Sequence, residues 1–169
     1  MTFLLEPSLA LAVGTVAAYW DWRWRRIPRW LTVPAAFCGL AAHAWLGGWW
    51  GAVAATMAGF GLGLLLLQLG AMGGGDVKLL AASGAILGLN LWAITIAIAF
   101  LIAGGTALVQ LAMRGRLLFL MSDLGAIIRG WKEYGLHPHP DHNLATPGAV
   151  TAPFGVALGI GIACAVCLF

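Results

Sequence analysis

Between Arg29 and Asp76 this chain carries no charged side chain, and between Lys78 and Arg114 it again carries none. Intervals of that kind are what a bilayer demands, since its hydrocarbon core takes about 20 predominantly apolar residues per helical crossing, and about 17 at the least. Six stretches read as such crossings: residues 3–20, 30–46, 48–70, 76–89, 90–113 and 152–169. The fourth is the shortest, with a helical reach of only about 21 Å. It must begin earlier, end later, or lie against a thinned or protein-lined region.

Composition supports this reading. Of 169 residues, 62% are hydrophobic and 9% charged, against about 45–50% and about 25% in an ordinary soluble domain. So few charges cannot cover a soluble surface, and so many apolar residues exclude disorder. Three cysteines, Cys38, Cys164 and Cys167, exclude a disulfide-rich module and read as small apolar fillers. Cys164 and Cys167 have CxxC spacing, but no second ligand pair completes a zinc site. The net charge of +3 reflects topology rather than nucleic-acid binding. The first twenty residues do not read as a signal peptide, because they lack a basic start, carry Glu6 and precede no exported domain. The expected fold is all-α: one polytopic membrane domain over residues 1–169, with six transmembrane helices.

Three patterns orient these spans. The basic residues fall at Arg23, Arg25, Arg26 and Arg29, then Lys78, then Arg114, Arg116, Arg129 and Lys132. Six crossings put all of them on one face, which the positive-inside rule makes cytoplasmic, with both termini extracytoplasmic. Trp20, Trp22, Trp24, Trp30 and Trp131 then mark the cytoplasmic boundary, and Trp45, Trp49, Trp50 and Trp92 the opposite one. Gly59-x3-Gly63, Gly84-x3-Gly88 and Gly155-x3-Gly159 predict close helix packing within one bundle.

The loop at residues 114–150 is the main polar segment. Leu117, Leu120, Met121, Leu124, Ile128 and Trp131 recur at helical spacing opposite Ser122, Asp123, Arg129, Lys132 and Glu133. That pattern predicts an amphipathic helix lying in the cytoplasmic interface. Pro138, Pro140 and Pro147 keep the rest irregular, and the histidines at 137, 139 and 142 resemble an adventitious metal tract rather than a required site. His43, alone in a span, reads as a hydrogen-bonded packing residue.

Ionisable groups at membrane segments are functional candidates because burying them is costly. Asp21 ends the first span and Asp76 begins the fourth, so the topology places both at one depth on one face. Two close carboxylates share a proton, since both cannot ionise together. The ionised one activates water and the protonated one donates to a carbonyl, which is aspartyl peptide hydrolysis. Taken singly, each aspartate reads better as a helix-end residue than as a catalytic one. Gly73, Gly74 and Gly75 directly before Asp76 suit either a close backbone approach, as by a peptide substrate, or a plain turn. Lys78 tunes the pair, binds an acidic substrate group, or snorkels to water. Arg23, Arg25 and Arg26 read as anchors on anionic lipid.

At this point a resemblance becomes specific. Asp21-Trp22-Arg23-Trp24-Arg25-Arg26-Ile27-Pro28 resembles the D-x5-I-P element of type IV prepilin peptidases, with Arg29 where the family often has Asn. Gly73-Gly74-Gly75-Asp76 matches their G-x-G-D element, followed by Val77 and Lys78. The segment opening at Ala152-Pro153-Phe154-Gly155 is similar to the proline-containing start of the family's last helix. The resemblance implies a membrane aspartyl peptidase that removes the leader of a prepilin or pseudopilin at the cytoplasmic face of the bacterial inner membrane. Asp21 and Asp76 would be the catalytic pair, with Ile27, Pro28, Gly73, Gly75, Lys78 and Pro153 supporting the substrate. It implies no metal and no cofactor; the partners are the pilin helix and membrane lipid, not nucleic acid. Without the cysteine-bearing cytoplasmic insertion of larger members, the chain resembles the short form of Flp-type, tight-adherence pili, and N-methylation is not expected. The competing classes are a small proton-coupled transporter, which calls for acidic residues deeper in the membrane than Glu6, and a noncatalytic scaffold.

Overall fold

The structure, a computed structural model, describes residues 5–115 and 153–168. Among these every regular element is a helix: α1 (Leu5–Trp24), α2 (Arg29–Leu46), α3 (Trp49–Gln68), α4 (Gly74–Met113) and α5 (Phe154–Leu168). The expected interfacial helix within 114–150 and the histidine tract lie outside the described residues, apart from Arg114 and Gly115.

The helices end where local chemistry stops them. α1 continues past residue 20, so Asp21 lies in its last turn rather than beyond it. Arg25 then takes a left-handed conformation, φ 49°, and its N–H donates to Asp21 O at 2.8 Å. α2 starts after Pro28, whose extended backbone and missing N–H suit the position before a helix. It stops at Gly47, which takes φ 91° with its N–H on His43 O, as a C-terminal glycine does without the steric penalty of a Cβ.

α4 is a single element only in name. Gly88 interrupts it with φ 66° and ψ 174°, and the chain doubles back there. A straight helix would separate residues 80 and 92 by about 18 Å. Instead Trp92 Nε1 donates to Leu80 O at 3.3 Å and to Ser83 Oγ at 3.2 Å. The expected fourth and fifth stretches are thus the two limbs of α4. The break frees carbonyls that would otherwise bond along the helix, and His43 Nε2 lies 3.1 Å from one of them, Ile86 O. His43 is therefore the hydrogen-bonded packing residue its isolation predicted.

The first limb is the centre of the bundle. Almost every residue from Leu79 to Gly88 is buried, so this short segment lies against protein. α3 runs antiparallel beside it: Gly63 faces Val77, Gly59 faces Leu80 and Gly84 faces Ala55, each so close that an added Cβ would fall within 3.0 Å of the partner. On the other flank Gly39 of α2 meets Ala85 and Ile86. α5 packs between the second limb, where Gly161 meets Thr95 and Ala99, and α1, where Gly159 meets Gly14 and Ala18. The small-residue pairs serve packing inside one bundle.

Size is distributed inside out. Alanines such as Ala17, Ala52, Ala55 and Ala99 are buried, while Phe37, Leu101 and Met113 are more than 70% exposed. In water such a surface would aggregate, whereas in hydrocarbon close-packed small residues are what hold helices together. α3 is long and apolar enough to cross a bilayer, with a mean hydropathy of 1.8 over its most apolar 18 residues. α4 is apolar on both sides of its break, and α5 is apolar but shorter. Two expectations need correction. Trp92 is buried in the bundle rather than placed in an aromatic belt, because its indole N–H finds partners across the α4 break. Cys38, Cys164 and Cys167 are free and exposed on the outer surface, not core fillers, since the helix contacts are already filled by glycine and alanine.

Candidate active site

The last turn of α1, the 25–28 connection, the C-terminal part of α3, the glycine turn and the start of α5 gather at one end of the bundle. Asp21 and Asp76, far apart in sequence, line the same cavity there, about 670 Å³ in volume. Its wall also includes Arg25, Arg26, Arg29 and Lys78 on the polar side, and Phe60, Leu64 and Leu67 of α3 on the apolar side. The three α3 residues stand four and three apart, so they form one helical face.

Each carboxylate is held by a helix start. Asp76 is the third residue of α4, and its Oδ2 accepts the Gly73 N–H at 3.3 Å. That bond uses one of the donors a first helical turn leaves unpaired. The glycines bring the backbone close: a Cβ on Gly75 would lie 3.4 Å from Ile27 Cβ, so the 25–28 connection rests against the turn before Asp76. Asp21 is 6% exposed, and its Oδ2 accepts the Gly155 N–H, in the first turn of α5, at 2.7 Å. Both helix starts present N–H groups and positive dipole ends to a carboxylate.

Of the residues singled out in the sequence, Asp21, Asp76, Ile27, Gly73, Gly75 and Lys78 all line the cavity. Pro28 and Pro153 do not line it; they shape the starts of two helices beside it. Pro28 O accepts the Leu31 N–H at 3.2 Å, and Pro153 O accepts those of Val156 and Ala157 at 3.2 and 3.3 Å. From the sequence, Arg25 and Arg26 read as lipid anchors and Arg29 as a marker of topology, and no signal assigns Phe60, Leu64 or Leu67 to a cavity. Nothing in a uniformly apolar α3 marks which face a cavity uses. Outside the cavity the same end carries an aromatic cluster: Trp20 meets Trp24 at 4.8 Å and Trp30 at 5.5 Å between centroids, and the Arg23 guanidinium lies 5.7 Å from the Trp24 ring.

Apolar helices thus bring two carboxylates, Asp21 and Asp76, to one cavity at one end of the bundle. A profile of the type IV leader peptidase family matches residues 8–108, more than half of this chain, and the chain belongs to that family. Asp21, Ile27, Pro28, the glycine turn, Asp76 and Lys78 lie within the matched span, and Pro153 and Gly155 beyond it. No curated protein and no solved structure matches the chain.

Proposed function

We propose that this leader peptidase is an aspartyl endopeptidase that removes the leader of a prepilin or pseudopilin, with Asp21 and Asp76 as its catalytic pair. The observation that carries the reading is the convergence of the two aspartates on one cavity. One carboxylate, ionised, takes a proton from water as the oxygen attacks the scissile carbonyl. The other, protonated, gives its proton to the carbonyl oxygen. The intermediate then collapses as the first carboxyl passes its newly gained proton to the amide nitrogen and the second takes one back from the gem-diol, releasing the amine and the new carboxyl terminus. The cavity serves such a substrate on two sides. Phe60, Leu64 and Leu67 offer an apolar face to a hydrophobic helix, and Arg25, Arg26, Arg29 and Lys78 offer positive charge to polar groups beside the cleavage point. Ile27 packs against Gly75, while Gly74, where an added Cβ would meet nothing within 4 Å, leaves the turn before Asp76 open to an extended peptide. In this reading the protein crosses the bacterial inner membrane six times, with the cavity at the cytoplasmic face and both termini outside. Its substrate is of the Flp type, and it does not methylate the product.

Co-expression with a Flp-type prepilin tests the reading, the leader being followed by gel shift. Asp21→Asn and Asp76→Asn keep the side-chain shape and abolish ionisation. Each is expected to slow processing by about 10²–10⁴-fold, the usual worth of a general acid or base. Full processing by either variant would sink the dyad.

A further inference from the structure

The first turn of α5 has an unmet need that its own sequence cannot supply. Gly155 N–H is among the donors that helix geometry leaves without a partner, and the residue before the helix is Pro153, whose side chain has no acceptor for a cap. The acceptor is Asp21 Oδ2, at 2.7 Å and 134 positions away. The approach depends on glycine. A Cβ on Gly155 would stand 2.8 Å from Asp21 Cβ, 2.9 Å from Oδ2 and 3.1 Å from Cγ. Cγ and Oδ2 can turn aside about the Cα–Cβ bond, but Cβ is fixed to the α1 backbone, so an added methyl would displace the carboxylate and also press α1 and α5 apart at Asp21.

We propose that Gly155 is a positioning residue for Asp21: its N–H holds one carboxylate oxygen and its missing side chain leaves the space in which that carboxylate sits, so that the last helix completes the aspartate pair. The proposal rests on the reading of Asp21 as catalytic. A charge-assisted hydrogen bond from a fixed backbone amide restricts the carboxylate to one orientation, and reaction geometry is sensitive to displacements of about 1 Å. The contact between α1 and α5 one turn further on offers a control. There a Cβ on Gly159 would meet Gly14 O at 2.9 Å and Ala18 Cβ at 3.0 Å, crowding the same helix pair without touching Asp21.

The test uses the full-length protein in lipid nanodiscs with a purified Flp-type prepilin, measuring kcat, KM and thermal stability. Gly155→Ala is expected to lower kcat by about 10–100-fold with KM little changed. Gly159→Ala is expected to lose stability and keep its kcat. A Gly155→Ala protein with unchanged kcat, or equal kcat losses in both glycine variants, would overturn the proposal. The bond itself is read without any substitution at the glycine. In 15N-glycine-labelled protein the Gly155 amide proton should sit downfield and move upfield in Asp21→Ala, and an unmoved resonance also overturns the proposal. Asp21→Asn separates the two levels. Its full activity defeats the catalytic reading of Asp21. Its inactivity beside a fully active Gly155→Ala defeats the positioning role alone.

Discussion

Asp21, Asp76 and His43 all answer the same demand, that a backbone group left over at a helix end must find a partner. Asp21 and Asp76 each take an N–H from a first helical turn, and His43 reaches a carbonyl at the break in α4. Around His43, buried within the bundle, no water substitutes for such a partner. His43→Leu keeps the apolar bulk but leaves Ile86 O without the imidazole. It is expected to cost about 1–3 kcal/mol, the penalty of an orphaned buried polar group, read as a loss of thermal stability in nanodiscs with little change in KM. An unchanged melting temperature would show that the break needs no such partner. At this scale the aspartates were legible, because a carboxylate at the edge of an apolar stretch stands out. Gly155 was legible only as a close-packing position, since a glycine carries no mark of the side chain it faces, here that of Asp21.

Among the elements, the first limb of α4 takes the central position because it presents glycine and alanine toward its neighbours. Gly84 is the tightest example, since a Cβ there would lie 2.5 Å from Ala55 O and 2.6 Å from its carbonyl carbon. Backbone atoms cannot turn aside as a side chain does. Gly84→Ala should therefore force α3 and α4 apart and destabilise the bundle by about 1–3 kcal/mol, measurable by thermal or denaturant unfolding. A variant as stable as the parent would mean that the contact relaxes freely. The apolar stretches announced this limb as too short to sit comfortably in lipid, and its burial against protein resolves that shortage. Its reversal at Gly88 was readable to within a residue or two. The inward turn of Trp92 was not, because a tryptophan near a span end serves a belt or a core equally well by sequence.

On the scale of the whole molecule, the two ends of the bundle differ in kind. One gathers the aspartates, the glycine turn, the cationic wall and the aromatic cluster. The other carries the α2–α3 turn at Gly47 and Gly48 beside the break at Gly88. If the first end is cytoplasmic, a green fluorescent reporter inserted between α3 and α4, in the 69–72 connection, should fluoresce, and alkaline phosphatase placed there should be inactive. Both reporters should reverse at residues 47–48. The opposite pattern would invert the proposed topology and remove the site from the cytoplasmic face.

Among the described residues, local sequence already specifies apolar helices, where they begin and end to within a few residues, and which carboxylates stand at their margins. Those properties follow from local quantities: the length of an apolar run, the charge beside it, and the glycine or proline that stops a helix. Only the tertiary structure decided that Asp21 and Asp76 share a cavity, that one face of α3 forms its wall, and that the last helix reaches back to hold Asp21. Helix partners are chosen by shape, through the fit of a missing Cβ against a particular carbonyl or carboxylate. That fit exists only once both surfaces are in place.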